Sequence, residues 1–191
     1  MSKTKIPYCN YSINPIRVKG GGWHCTKCSP GCNNCYAERL NKRFGNGLPF
    51  DNRIVEYELD LSCFDTLPKR KSAVVFVQDM SDLFHNDVPT EIIEKIIEKC
   101  ISMPQHTFLF LTKRFERMID IVFDLHYSSL NSPDENICFG TTICNNKEFE
   151  YFFTGNSRNF LFIRTFFSFI SIEPMLSKMK FGAIDNRLKY I

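Results

Sequence analysis

From residue 73 onward, apolar and polar positions follow two regular rhythms. AVVFV (73–77) and TFLFL (107–111) are continuous β-branched and aromatic runs, the pattern of strands covered on both faces. NICFGTT (136–142) and FSFISI (167–172) read as further strands. Between the first two runs, Ile92, Ile93, Ile96, Ile97 and Cys100 keep a helical stripe behind a Pro89-Thr90-Glu91 start. Phe115, Met118, Ile119, Val122 and His126 repeat that spacing, and residues 146–153 predict a short helix. Earlier in the chain, Tyr11 to Ile13 predicts a first strand closed by Asn14-Pro15. Residues 1–10 read as frayed and 46–72 as irregular. Tyr36, Ala37, Leu40 and Phe44 share one face of a helix that Gly45 and Gly47 stop.

Strands alternating with helices are the βαβ pattern of a parallel sheet, and right-handed crossovers curl such a sheet toward a barrel. A complete eight-stranded barrel needs about 250 residues. With 191 residues and five predicted strands, the expectation is a single α/β domain over 1–191, an incomplete parallel (β/α) barrel. A net charge of +3 neither demands nor excludes a nucleic-acid partner. The start, MSKTKIPYCNYS, has no apolar signal-peptide core, and Arg164 interrupts the longest apolar stretch, 160–172. The expected setting is a reducing cytoplasm with no membrane contact, where clustered cysteines bind metal more often than they pair.

That clustering is pronounced. CTKCSPGCNNCY (25–36) holds Cys25, Cys28, Cys32 and Cys35, four of nine cysteines, between the glycines of KGGGWHC and the first helix. A loop can fold several sulfurs onto one metal centre. Cys28, Cys32 and Cys35 are spaced CxxxCxxC, which leaves one iron of a [4Fe-4S] cluster without a protein ligand. The spacing resembles the radical S-adenosylmethionine (SAM) superfamily, in which that iron binds SAM. A structural Zn2+ held by all four thiolates is the alternative. Cys9, Cys63, Cys100, Cys138 and Cys144 read as packing residues, and Trp23 and Tyr36 as shields for the loop.

Ligands of parallel α/β folds bind at the carboxyl ends of strands. There the sequence places Asp79, Ser81, Asp82 and His85 after the second strand, and Thr112, Lys113 and Arg114 after the third. Thr141 and Thr142 end the fourth strand, and Glu173-Pro174 the fifth. Each has a plainer reading: Asp82 as a helix cap, His85 as a surface residue, Lys113 and Arg114 as a solvated helix start, Glu173 as a turn. His85, Lys113 and Arg114 are the substrate-binding candidates.

INP (13–15), CTKCSPGCNNCYAERL (25–40), VFVQDMSDLFHNDVP (75–89), PQHTFLFLTKRFERM (104–118) and FISIEPML (169–176) together resemble one family. It is the phage-associated family of unknown function described by a three-cysteine motif and related to radical SAM enzymes. In that family the first ligating cysteine aligns with Cys25, the others with Cys32 and Cys35, and the position of Cys28 is often not cysteine. The resemblance implies a radical SAM-type partial barrel with a [4Fe-4S] cluster and SAM, served by an electron donor such as a flavodoxin or ferredoxin. It implies reductive cleavage of SAM to methionine and a 5′-deoxyadenosyl radical that acts on an unknown substrate, nucleic acid or nucleotide by association. By strand order, Asp82 would lie near the SAM amino group, Thr141 and Thr142 near its ribose, and Glu173 near its adenine. Family members continue past the SIEP strand with a Gly-Gly-Glu-Ser type motif and a Trp-rich tail, so this chain reads as a shortened member. Residues 155–168 also depart from the family's usual helix.

Two rival expectations accompany this one. In the first, zinc or a cluster stabilises a non-catalytic nucleic-acid-binding protein that uses Lys42, Arg43, Lys69, Arg70, Lys71, Lys113 and Arg114. In the second, the chain is a degenerate family member that keeps a cluster without turnover.

Overall fold

The computed structural model describes residues 2–129, 136–154, 159, 161, 162, 166, 168–177 and 189–190. The chain starts with β1 (Ser2–Lys3), β2 (Tyr11–Ile13) and β3 (Ile16–Val18), then passes through the cysteine loop into α1 (Tyr36–Phe44). β4 (Tyr57–Leu59) precedes a regular alternation of β5 (Val74–Val77), α2 (Thr90–Ile101), β6 (Thr107–Thr112), α3 (Phe115–Ser129), β7 (Ile137–Thr142) and α4 (Asn146–Thr154). β8 (Ser168–Ser171) and β9 (Lys189–Tyr190) follow.

One sheet has the order β1-β2-β5-β6-β7-β8-β9, with β3 and β4 paired separately. From β2 to β9 every neighbour is parallel, and β1 caps the edge antiparallel. The five predicted strands are present, within a residue or two of their expected bounds. Three expectations need correction. Residues 1–10 are not simply frayed, since Ser2 and Lys3 pair with Ser12 and Tyr11. Residues 46–72 are not irregular throughout, because β4 and a 3-10 turn (Leu61–Thr66) lie there. Past the SIEP strand, Lys189 and Tyr190 add a sixth parallel strand against Phe169 and Ile170. The expected departure at 155–168 lies mostly outside the described residues.

The strand period of two sorts side chains onto two faces. Val75, Val77, Phe108, Phe110, Ile137, Phe139 and Ile170 join Ile93, Ile96 and Ile97 of α2 and Met118, Ile119 and Val122 of α3 in the main core. Phe76, Leu109, Cys138 and Phe169 face the other way, where Ile6, Tyr8 and Cys9 cover them. Much of the phenylalanine excess is spent in one stack. Phe115 meets Phe152 at 4.5 Å between centroids and Phe162 at 5.5 Å, and Phe162 meets Phe166 at 4.7 Å. Pairs of this kind each add about 0.5–1.5 kcal/mol beyond area burial. At Gly140 a Cβ would stand 2.6 Å from the Phe169 ring, so only glycine lets that ring lie against β7.

α1 is the clearest departure from the sequence pattern. Its buried residues are Ala37, Glu38 and Asn41, while Tyr36, Leu40 and Phe44 are 44 %, 37 % and 68 % exposed. Of the apolar stripe, only Ala37 enters the core. The reason is Asn41, which is fully buried and works as a bracket. Its Oδ1 accepts from Trp23 N at 2.9 Å, and its Nδ2 donates to Asn46 Oδ1 and Leu48 O, each at 2.9 Å. Holding the chain on both sides of the cysteine loop requires this face of α1 to turn inward.

Candidate metal and cofactor site

The cysteine loop lies near the carboxyl ends of the strands, as Asp82 and Arg114 show by reaching it from beyond β5 and β6. Cys32 sits on a 3-10 turn (Pro30–Asn34), and Cys35 is the residue on which α1 begins. Cys25 and Cys35 pack with Trp23, Ala37, Phe50 and Met80 in one apolar cluster, so Trp23 does shield the loop. Tyr36 does not; it is exposed, and its hydroxyl donates to Asp79 O at 2.7 Å. Cys28 is exposed beside Cys32. The Cys28 thiol donates to Cys32, which together with nearby backbone donors lowers the Cys32 pKa to about 4 and pushes that of Cys28 well up. Burial, reinforced by Asp82, raises Cys25 to about 11.

Behind Cys25 stands a buried ion pair. Arg114 Nη1 lies 2.8 Å from Asp82 Oδ2, and the two side chains are 9 % and 10 % exposed. The same Nη1 reaches Cys25 Sγ at 3.7 Å, while Nη2 donates to Thr26 O at 2.9 Å and Thr26 Oγ1 at 2.8 Å. Asp82 Oδ1 accepts from Thr112 Oγ1 at 2.7 Å and from Phe84 N at 3.0 Å. Burial works against the Arg114 charge, but Asp82 and the neighbouring thiols outweigh it and its pKa is raised. His85 is not a surface residue: it is buried, and its Nε2 lies 2.8 Å from Thr26 Oγ1. Burial, with Arg114 nearby, lowers the His85 pKa to about 4.

The predicted site residues therefore divide. Asp82, His85 and Arg114 meet beneath the cysteine loop. Thr141 is buried and donates to Thr112 O at 3.0 Å, so it supports that network from behind. Lys113, Arg114, Thr141 and Thr142 all line a cavity of about 880 Å³, together with Cys28, Arg117, Lys147 and the acidic Glu116, Asp120 and Glu148. Glu173 is exposed and lines neither this cavity nor a smaller one of about 440 Å³ beside Trp23, Leu40, Phe44 and Asp79. Asp79 itself is held by Asn14 Nδ2 at 2.6 Å, and burial raises its pKa.

Three contributors escaped the sequence reading. Thr26 ties Arg114 to His85. Gln78, at φ 64°, brackets Ile16 through both backbone groups, at 3.1 Å each. Cys144, read as simple packing, lies where a Cβ on Gly31 would come within 2.4 Å of its sulfur. Only the glycine lying next to Cys32 gave a signal for that last contact.

Four cysteines on one loop are a donor set for a cluster or for a single zinc ion. Four thiolates on one tetrahedral zinc would stand about 3.8 Å apart. Among the described residues no three of these sulfurs lie within 4.8 Å of one another. The basic residues of the rival nucleic-acid reading are not gathered. Lys69, Arg70 and Lys71 precede β5 at its amino end, whereas Lys113 and Arg114 follow β6 at its carboxyl end. Lys42 pairs with Glu38 at 3.0 Å, and Arg43 lies over the Phe44 ring.

Residues 3–188 match the family described as "Protein of unknown function (DUF5131)". The chain belongs to that family. No curated protein matches the chain. Three solved structures of spore photoproduct lyase are similar to this member of the family. A cysteine-to-serine mutant matches with TM-score 0.52 at 15 % identity, over 91 % of this chain and 48 % of that one. A double mutant with bound AdoMet and dinucleoside spore photoproduct gives 0.55 at 14 %, with the same coverage. The enzyme complexed with dinucleoside spore photoproduct gives 0.55 at 15 %, again with 91 % and 48 % covered. The chain thus spans about half the length of these neighbours. At such identities the likeness shows the fold alone, an incomplete parallel (β/α) barrel.

Proposed function

We propose that the chain is an iron–sulfur protein of radical SAM type that acts on a nucleic acid or nucleotide. The observation that carries this reading is the placement of the cysteine loop over the carboxyl ends of a partial parallel barrel, with a charged network beneath it. Cys25, Cys32 and Cys35 would hold the cluster. Cys25 and Cys35 share the apolar cluster that excludes water, whereas Cys28 is exposed on the cavity side. A [4Fe-4S] cluster with one open iron supplies the electron that cleaves bound SAM.

The chain's own residues prepare that site. The Arg114 guanidinium offers an N–H to Cys25 sulfur, and hydrogen bonds of this kind tune a cluster's potential. Asp82 neutralises and orients Arg114 rather than contacting SAM directly. Thr141 and Thr142, with Lys113 and Arg114 on the same cavity wall, would meet the SAM ribose and an anionic substrate. Glu173 belongs to the same proposal only through strand order. Arg117 and Lys147 share the cavity wall with Glu116, Asp120 and Glu148, so it carries charge of both signs. The dinucleoside bound by the spore photoproduct lyase structures supports the nucleotide reading. A flavodoxin- or ferredoxin-type donor would supply the electron. No helix among the described residues is long and apolar enough to cross a membrane.

The test is anaerobic incubation of cluster-loaded protein with dithionite and SAM. Methionine and 5′-deoxyadenosine in equal amounts support the proposal. A full cluster that leaves SAM intact contradicts its catalytic part and favours the degenerate member.

A further inference from the structure

We infer that the chain carries a second metal site, separate from the cysteines, in which His24, His85 and Asp87 bind one divalent cation of the zinc class. The ligand atoms of these three residues lie within 4.8 Å of one another. His24 and His85 are 3 % and 2 % exposed, and their rings meet edge-on at 5.7 Å. Asp87 stands at the rim with its side chain 50 % exposed. Two imidazoles and a carboxylate are the donor set that borderline cations such as Zn2+ select.

An independent observation points to a ligand. His24 Nε2 is buried and has no hydrogen-bond partner. A buried imidazole nitrogen with nothing to bind is costly unless something occupies its lone pair or takes its proton. Its neighbour is already prepared. His85 Nδ1 accepts from Asp87 N at 3.2 Å, so Nδ1 carries the lone pair and Nε2–H donates to Thr26 Oγ1. Fixing the far nitrogen in this way is the usual outer-shell arrangement of a metal-binding histidine. The same Nδ1 lies 3.8 Å from Asp87 Oδ2.

A tetrahedral zinc needs its N and O ligands about 3.3 Å apart. Rotation of the half-exposed Asp87 side chain brings its oxygen inward, and the cation displaces the weak Asp87 N–H contact. Water would take the fourth position. The consequence is mechanical. His24 directly precedes Cys25, so a cation on His24, His85 and Asp87 would staple the entry of the cysteine loop to the segment after β5.

The test is an anaerobic titration of the cluster-loaded protein with Zn2+ and, for spectroscopy, Co2+, counting zinc and iron separately. The expected result is one zinc per chain with unchanged iron. The cobalt form should show d–d bands without thiolate-to-cobalt charge transfer. Asp87→Asn and His24→Gln should each weaken zinc binding at least about tenfold. Asp87 is exposed enough that its variant should fold even if the His24 variant does not. No equivalent beyond the iron, a thiolate charge-transfer band, or wild-type affinity in Asp87→Asn would overturn the assignment. If no cluster assembles, the same cobalt spectrum on the purified chain still separates nitrogen–oxygen ligation from thiolate ligation. The two proposals therefore fail separately.

Discussion

Arg114 Nη1 lies 3.7 Å from Cys25 Sγ and 2.8 Å from Asp82 Oδ2. One guanidinium thus joins three segments: the cysteine loop, the turn after β5 and the end of β6. Removing one partner of a buried pair leaves the other charge unpaired in a poor solvent for it. Asp82→Asn should lower the unfolding free energy by about 3–5 kcal/mol. The double change Asp82→Leu with Arg114→Leu should recover part of that loss. Urea melts of the wild type, Asp82→Leu, Arg114→Leu and the double variant close the cycle, and a loss below about 1 kcal/mol in Asp82→Asn would show the pair to be a solvated one.

The cysteines give a sharper contrast. Cys32→Ala and Cys35→Ala should abolish iron binding. Cys25→Ala should do the same, and Cys28→Ala should leave iron near the wild-type level. The reverse order for Cys25 and Cys28 would select the CxxxCxxC set instead.

Gly140→Ala places a methyl 2.6 Å from the Phe169 ring. Overpacking of this kind costs about 1–3 kcal/mol. Phe169→Leu in the same chain should restore part of the loss, because the obstacle is the ring itself. Additive effects in the double variant would place the clash elsewhere.

His106 supplies a pH dependence remote from the cysteines. It is 1 % exposed, and burial lowers its pKa below the ordinary 6.5, offset only in part by the Pro68 backbone. A histidine with a depressed folded pKa binds fewer protons folded than unfolded. Its favourable contribution is therefore present above pH 6.5 and fades as the pH falls below that value. His106→Leu should flatten the loss of stability between neutral and mildly acidic pH. Chemical melts across that range check it, and an unchanged slope would assign the dependence to other groups.

The legible parts of the fold were those where burial on both faces leaves a continuous apolar run, as in β5 and β6, or a clean stripe, as in α2. α1 was misread because most of its apolar stripe is left outside while a polar Asn41 goes in. Sequence hydrophobicity cannot show that an amide is buried to hold two loops. In the site, the cysteines and the strand-end polar groups were visible by type. Their partnerships were not, since Arg114 and Cys25 are 89 positions apart and meet only once the sheet is formed. Strand-end position suggested that Asp82 and Arg114 face a ligand; Arg114 lines the large cavity, while Asp82 is turned to Arg114 and Thr112.

The most direct measurement is iron and sulfide quantitation after anaerobic reconstitution, followed by EPR of the reduced protein with and without SAM. The account predicts about four irons and four sulfides per chain, with a signal that changes when SAM is added. Zinc held by the cysteines in place of iron, or a cluster signal indifferent to SAM, would contradict it.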